Sequence, residues 1–257
     1  MHDMAFAPVE ADAPATVAAL TAAATVEGAR DSNEDAVKQW CQGRCAVTVV
    51  ADGVGGEPWG EVASELASSV AMRFVRRAIQ YGVERGLSVP VADIVVRAFA
   101  VASRRLQREA EQTGRPFGMR TTLLIAVVVG DLFTYAYLGD GGMFVYDPAA
   151  AVLHDVLDPM RDGDGGPLTG TVGPQNRGAA VVGERRLAPG SVVLSTTDGL
   201  ADLMTPAHWT DLAAALANDA RPDATLQQLL THCASMRHDN LPVFTDNLTI
   251  SLIRVMQ

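Results

Sequence analysis

The sequence predicts an α+β fold in which antiparallel sheets are covered by helices. Several short apolar runs are rich in β-branched residues, and the clearest pair, residues 121–129 and 132–138, is joined by a Gly-Asp turn at 130–131. Two longer segments, 59–80 and 91–112, carry apolar residues at helical spacing. Hairpins outnumber strand–helix alternations, which favours antiparallel over parallel sheets.

The other elements follow from local composition. In chain order, the predicted strands are residues 16–26, 46–51, 121–129, 132–138, 143–146, 179–187, 192–197 and 248–255. The predicted helices are residues 59–80, 91–112, 207–218 and 223–236. The first helix has apolar side chains at every fourth position, which predicts one packed face. These residues are Val62, Leu66, Val70 and Phe74.

Two connections complete the predicted organisation. Residues 179–187 and 192–197 are expected to pair as a second hairpin around a Pro-Gly turn. Residues 147–178 are rich in Gly, Pro and Asp and are predicted to form a long loop with little regular structure. Residues 1–15 are expected to be a flexible lead-in, and residues 16–257 a single domain.

Composition and charge narrow the class of protein. Of the 257 residues, 48% are hydrophobic and 19% are charged, a balance typical of a folded chain with a substantial core. The formal net charge is -10, and such a surface repels nucleic-acid backbones and anionic lipids. We therefore expect neither a nucleic acid nor a membrane as a partner. A phosphate-handling protein of this charge would need a local cation at its site.

The first residues do not have the composition of a targeting signal. Asp3, Glu10 and Asp12 lie where a secretory signal carries basic residues, and no apolar run reaches the ~18 residues of a spanning helix. The three cysteines are too few and odd in number for a disulfide framework. We expect a soluble, cytoplasmic protein that acts as a monomer.

Aspartates mark the ends of the predicted strands. Asp-Gly follows an apolar run at three places, and a fourth aspartate opens the last strand. These residues are Asp52, Asp140, Asp198 and Asp246. The end of one antiparallel strand lies beside the start of its neighbour, so the four carboxylates can converge on one rim.

Converging carboxylates repel one another unless a cation lies among them. Hard oxygen ligands suit magnesium, manganese or calcium, and a glycine after the aspartate lets the backbone turn its carbonyl oxygen toward the ion. Any single Asp-Gly has a simpler interpretation, because the pair often just ends a strand. Three such ends, together with Asp246 and the Asn-Glu-Asp cluster at residues 33–35, favour a metal centre.

Taken in order, these motifs resemble those of the type-2C metal-dependent protein phosphatases over residues 20–255. The matching segments are RDSNEDA at 30–36, DGVGG at 52–56, GEVAS at 60–64, TT at 121–122, GD at 139–140, TDGL at 197–200 and DNLT at 246–249. The resemblance implies a four-layer α-β-β-α sandwich of two antiparallel sheets flanked by helices. It also implies removal of phosphate from serine or threonine side chains of phosphorylated proteins.

The resemblance further implies two divalent ions, Mn²⁺ or Mg²⁺, and a third that binds more weakly. Asp52 would bridge the two ions, and the carbonyl oxygen of Gly53 would complete one site. Asp198 and Asp246 would hold the other ion. Asp140, with Asp198, matches the third position.

Three more residues receive roles from the resemblance. Arg30 would bind the substrate phosphate, since a guanidinium forks onto two oxygens; the alternative is an ordinary surface arginine. Glu34 and Asp35 would orient waters at the ions. A water activated by two metals would attack phosphorus in line, without a phosphoenzyme. A histidine near the leaving group could also act as a general acid.

Some positions depart from the family pattern. Arg120 replaces a usual glycine, and Gly141 and Gly142 replace a usual serine and arginine after Asp140. None of the replaced positions is a metal ligand, so the departures concern the loop around Asp140. A variable flap occupies residues 147–178 in the family, and here it is short. We expect it to be mobile and to shape the choice of protein substrate without touching the metals; the alternative is a solvated connector.

Two other functions remain open from the sequence. The chain could be a catalytically silent phosphoprotein-binding module of the same fold, although such a protein has no chemical need for Asp52, Asp198 and Asp246 together. It could also be a phosphatase for a small phosphomonoester. An open, shallow cleft would favour a protein substrate.

Overall fold

A computed structural model describes most of the chain. The described residues are 7–8, 19–55, 59–114, 118–163, 166–202, 204–217, 221–235, 237–238, 241–242 and 246–256. The expected lead-in, residues 1–15, lies outside this range except for residues 7–8, which form a short strand. Gly56, the last residue of the DGVGG segment, also lies outside it.

The described residues form fourteen strands and five helices. The strands are β1 Ala7–Pro8, β2 Ala19–Val26, β3 Asp35–Gln42, β4 Cys45–Asp52, β5 Leu87–Ser88, β6 Leu123–Val129, β7 Leu132–Leu138, β8 Gly142–Asp147, β9 Val152–Asp155, β10 Val181–Arg186, β11 Val192–Thr196, β12 Arg237–His238, β13 Leu241–Pro242 and β14 Leu248–Val255. The helices are α1 Gly60–Glu84, α2 Val91–Thr113, α3 Asp198–Ala201, α4 Pro206–Ala217 and α5 Pro222–Ser235. No helix in the described part of the chain combines the length and apolar character needed to cross a membrane.

Two five-stranded sheets form the centre of the molecule. The strand order is β10-β7-β6-β4-β3 in the first sheet and β2-β14-β11-β8-β9 in the second. Every neighbouring pair in both sheets is antiparallel. The predicted fold class, an α+β sandwich of two antiparallel sheets flanked by helices, is therefore confirmed.

The central strands of the first sheet, β4 and β6, are buried on both faces because they are apolar almost throughout. Val49 and Ile125 belong to the core shared with α1 and α2, whereas their neighbours Val50 and Leu124 belong to the core between the sheets. Successive side chains of a strand point to opposite faces, so one continuous apolar run supplies both layers.

The second sheet repeats this arrangement toward the C-terminal helices. Val193 lies in the core between the sheets, and the adjacent Leu194 packs in a separate core with residues of α4 and α5 such as Leu212 and Leu229. Three cores thus join four layers in the order helices, sheet, sheet, helices.

The buried face of α1 lies one residue away from the apolar residues identified in the sequence. Val62, Leu66, Val70 and Phe74 are only partly buried. The fully buried positions are Ala63, Ala67, Ala71, Val75 and Ile79. Small alanines let the helix lie close to its neighbours, and the larger residues cover the flank of that contact.

The predicted second hairpin is wrong. Strand β10 pairs with β7 in the first sheet, and β11 lies between β14 and β8 in the second. The Pro189-Gly190 turn therefore carries the chain from one sheet to the other. Residues 147–178 also contain a strand, β9, which pairs with β8. This edge strand is short and half-exposed, so it lacks a clear apolar pattern.

We predict that shortening a side chain between the sheets destabilises the protein strongly. Leu124 is 1% exposed, so Leu124→Ala should lower the free energy of unfolding by about 2–5 kcal/mol through lost burial and the cavity left behind. Val182→Ala, on the exposed edge strand β10, is the control and should change it by about 0.5 kcal/mol or less. Urea unfolding measures both. If both variants lost only a similar small amount of unfolding free energy, the sheets would not be close-packed at Leu124.

Candidate active site

Strand direction gathers the four strand-end aspartates at one edge of the sandwich. In the first sheet β4 and β7 both pair with β6, so they run in the same direction and lead to Asp52 and Asp140 at the same edge. In the second sheet, β11 leads into Asp198 and its antiparallel neighbour β14 begins just after Asp246. Because the sheets are stacked, the two edges meet.

A polar cleft of about 580 Å³ opens at this edge. Seven of the eight residues assigned to the site from the sequence line it. They are Arg30, Glu34, Asp52, Gly53, Asp140, Asp198 and Asp246. The eighth, Asp35, is 9% exposed, and its Oδ2 accepts a 2.9 Å hydrogen bond from the hydroxyl of Thr197.

Two threonines fix the backbone of Asp52. The carbonyl oxygen of Asp52 accepts hydrogen bonds from the hydroxyl of Thr121 at 2.7 Å and the backbone N–H of Thr122 at 2.8 Å. In return, the Asp52 N–H donates to the Thr122 hydroxyl at 3.0 Å. A Cβ on Gly53 would lie 2.4 Å from the carbonyl carbon of Gly60, so only glycine allows α1 to begin this close.

The side chain of Asn247 holds the turn that carries Arg30. Its Oδ1 accepts a 2.9 Å hydrogen bond from the backbone N–H of Glu34. Its Nδ2 donates to the carbonyl oxygens of Ser32 at 2.9 Å and Glu27 at 2.8 Å. The sequence indicated Asn247 only as part of a motif and gave it no role. Its contacts span more than 200 positions of the chain, which local patterns do not reveal.

Two arginines pair with three of the clustered carboxylates. Arg30 Nη2 lies 2.7 Å from Asp246 Oδ2 at the exposed rim. Deeper in the cleft, Arg161 Nη2 lies 2.7 Å from Asp198 Oδ2 and also forms an ion pair with Asp140.

The 147–178 loop, which is expected to shape substrate choice without touching the metals, reaches two of the proposed metal ligands. It inserts Arg161 between Asp140 and Asp198. The available signal was that Arg161 and Arg177 are its only lysine or arginine residues.

The electrostatics show that these carboxylates are crowded. Burial raises the pKa of Asp52 well above its usual range, and the nearby charges of Asp35 and Asp198 raise it further. Burial likewise raises the pKa of Asp35 to about 6, against the opposing effect of its threonine hydrogen bonds. Burial and the charge of Asp198 raise the pKa of Asp140 to about 6, although Arg161 opposes the shift. The pKa of Glu34 is raised by burial and by Glu61.

The donor set suits a hard divalent cation. It consists of carboxylate oxygens with the nearby carbonyl oxygen of Gly53, and Oδ1 of buried Asp35 has no hydrogen-bond partner in the described structure. Among the described residues, however, no three acidic, histidine or cysteine side chains are arranged to hold an ion. The arginine pairs explain this, because they draw Asp140, Asp198 and Asp246 toward guanidinium groups. No histidine is among the described residues that line the cleft.

A family model described as Protein phosphatase 2C matches residues 26–232. The chain belongs to this family. Among curated proteins, none matches the chain.

Solved bacterial phosphatases have the same fold. PppA, described as a key regulatory component of the T6SS in Pseudomonas aeruginosa, aligns at 20% identity with a TM-score of 0.74, covering 94% of this chain and 99% of PppA. The Mycobacterium tuberculosis serine/threonine phosphatase PstP/Ppp aligns at 18% identity and 0.74, covering 93% and 100%. The catalytic domain of PstP in complex with two manganese ions aligns at 20% identity and 0.69, covering 94% and 100%.

We predict that the metal-free protein loses stability as pH rises. Asp35 and Asp140 have pKa values raised to about 6, so between pH 4 and 7 the folded state holds protons that the unfolded state releases. The free energy of unfolding in EDTA should fall across this window by about a few kcal/mol.

Urea unfolding at several pH values checks this dependence. Asp52→Asn should reduce the slope, because it removes a buried carboxyl group whose own pKa is raised by burial and by the charges of Asp35 and Asp198. The control Asp93→Asn, on the exposed first turn of α2, should leave the slope unchanged. A free energy of unfolding that rises with pH would contradict the conclusion that the cleft carboxylates are crowded.

Proposed function

We propose that this protein is a metal-dependent serine/threonine protein phosphatase. The observation that carries the proposal is that strand-end aspartates of both sheets meet in one polar cleft, with an arginine at its rim, in a chain of the protein phosphatase 2C family. The manganese ions of PstP, which has the same fold, support manganese or magnesium as the cofactor.

The proposed ligands follow the two edges that form the cleft. Asp52 and the carbonyl oxygen of Gly53 would hold two divalent ions together with Asp198 and Asp246. Asp140 with Asp198 would hold a weaker third ion. When bound, the ions supply a water activated for attack and neutralise charge on the phosphate.

The charge of the cleft supports this cofactor. Four arginines and six acidic residues line it, so the ionised cleft is net negative without a cation and repels a phosphate dianion. Two divalent ions bring four positive charges and reverse the sign. The substrate can therefore enter only the metal-loaded cleft favourably.

The remaining site residues are proposed to act on substrate and water. Arg30 grips the non-bridging phosphate oxygens from the rim, where its side chain is 54% exposed. Glu34 lines the cleft and Asp35 lies beneath it, so both can accept hydrogen bonds from water near the ions. The hydrogen bonds with Thr121 and Thr122 hold the backbone of Asp52 in place while these groups act.

The open rim of the cleft favours a protein substrate over a small phosphomonoester. The Arg30 and Asp246 side chains at the rim are 54% and 40% exposed, whereas Asp140 at the floor is 4% exposed. A phosphorylated side chain on a protein loop can reach the floor while the loop rests on the open rim. The cleft wall offers few apolar residues to enclose a small organic group. The monomeric state and cytoplasmic location stay predictions.

We predict that phosphatase activity requires a divalent metal. Hydrolysis of para-nitrophenyl phosphate should vanish in excess EDTA and return with manganese, less with magnesium, while calcium inhibits. With manganese, a phosphothreonine peptide should be hydrolysed and a phosphotyrosine peptide should not. Full activity after exhaustive chelation would refute the dimetal mechanism. A protein that binds metal and phosphopeptide without hydrolysing either substrate would instead be the silent binding module.

We predict that Arg30→Ala weakens substrate binding more than it slows turnover. Loss of the guanidinium removes a grip on phosphate that is present before reaction, so the Michaelis constant should rise by about tenfold, with a smaller fall in kcat. The control Arg97→Ala removes the same charge from the exposed face of α2. Steady-state kinetics with a phosphothreonine peptide separates the two constants. If neither constant changed, Arg30 would be an ordinary surface arginine.

A further inference from the structure

Arg161 occupies the position between Asp140 and Asp198. Its Nη2 lies 2.7 Å from Asp198 Oδ2 and forms an ion pair with Asp140, while its Nη1 donates to the carbonyl oxygen of Gly166 at 3.3 Å. Asp140 and Asp198 are also the pair proposed above for the weakest metal position. One guanidinium thus bridges the two carboxylates that a third ion would need.

Backbone hydrogen bonds around Arg161 hold this part of the loop beside Asp140. The N–H of Met160 donates to the carbonyl oxygen of Gly139 at 3.1 Å, next to Asp140 itself. The N–H of Thr169 donates to the carbonyl oxygen of Met160 at 2.8 Å. The backbones of Arg161 and Leu168 form an isolated antiparallel β-bridge. Both sides of the loop are therefore tied together beside Asp140, so the side chain starts close to its partners.

A neighbouring cavity of about 500 Å³ gives the guanidinium a second place to lie. Arg161 lines both this cavity and the main cleft. Asp155, Asp158 and Asp202 line the neighbouring cavity, in which Arg161 is the only lysine or arginine among the described lining residues. A displaced Arg161 would still lie near negative charge, so displacement does not leave the arginine without a counter-charge.

We infer that Arg161 is a built-in cation for the Asp140–Asp198 pair and competes there with the third divalent ion. This inference rests on the proposed dimetal function. The carboxylates of Asp140 and Asp198 can be neutralised by the Arg161 guanidinium together with the ion that Asp198 already helps to hold. Alternatively, an additional metal ion can neutralise them in place of Arg161. The first two ions then bind without displacing Arg161 from Asp140, and the third binds only by displacing it. Arg161 thereby lowers the occupancy of the third position at a given metal concentration.

The test counts bound Mn²⁺ and measures its affinity in chelator-treated protein, using equilibrium dialysis and titration calorimetry. Arg161→Gln should raise the affinity for the third ion by about tenfold or more, which corresponds to about 1.4 kcal/mol of competing interaction. Arg161→Lys should give a smaller increase, because a point charge cannot bridge both carboxylates as a fork does. The matched control Arg177→Gln removes an arginine from the same cleft wall, where it has no ion pair within the described residues, and should match wild type.

Each outcome bears on a different statement. Wild-type protein that binds two ions, with a third gained in Arg161→Gln but not in Arg177→Gln, supports the competition. If Arg161→Gln does not fold, a rise in Arg161→Lys above wild type carries the same meaning. An unchanged third affinity in both Arg161 variants, or an equal rise in Arg177→Gln, overturns the inference and leaves the dimetal proposal intact. Failure of wild type to bind two ions overturns the proposed function itself.

Discussion

Repulsion among carboxylates at one edge of two stacked sheets is the constraint on which the rest of this structure depends. Antiparallel pairing brings the strand ends together and apolar strands bury them, so the charge cannot be dispersed into solvent. The fold therefore has to supply compensation. In the described structure it comes from guanidinium groups at the rim and floor and from threonine hydroxyls, and the pKa of buried Asp35 is still raised by its burial.

The rigid and the adjustable parts of the cleft are supplied by different kinds of contact. Asp52 is held through its backbone by Thr121 and Thr122, whose position follows from the pairing of neighbouring strands. Asp198 and Asp140 are instead balanced by Arg161, a long side chain on an irregular loop. The sheet thus holds Asp52 in place, whereas the balance of charge around Asp140 and Asp198 depends on one loop side chain.

Patterns that depend on neighbouring residues could be predicted from the sequence, whereas pairings between distant segments could not. The β6–β7 hairpin and the aspartates after strands were visible because the turn residue and the apolar run adjoin each other. The partners of β10 and β11 were predicted wrongly, because each pairs with a strand remote in sequence and the connecting turn changes sheets. Arg161 and Asn247 act through contacts with segments far along the chain, and no local spacing encodes such contacts.

The place of β14 in the second sheet affects when the cleft can form during synthesis. This last strand of the fold lies between β2, the first strand of that sheet, and β11. Until β14 has left the ribosome, the second sheet is split and the rim carrying Asp246 and Asn247 does not exist. A nascent or truncated chain can bury much of the first sheet and its helices and still have no complete cleft. The order of synthesis therefore delays assembly of the cleft until the domain is whole.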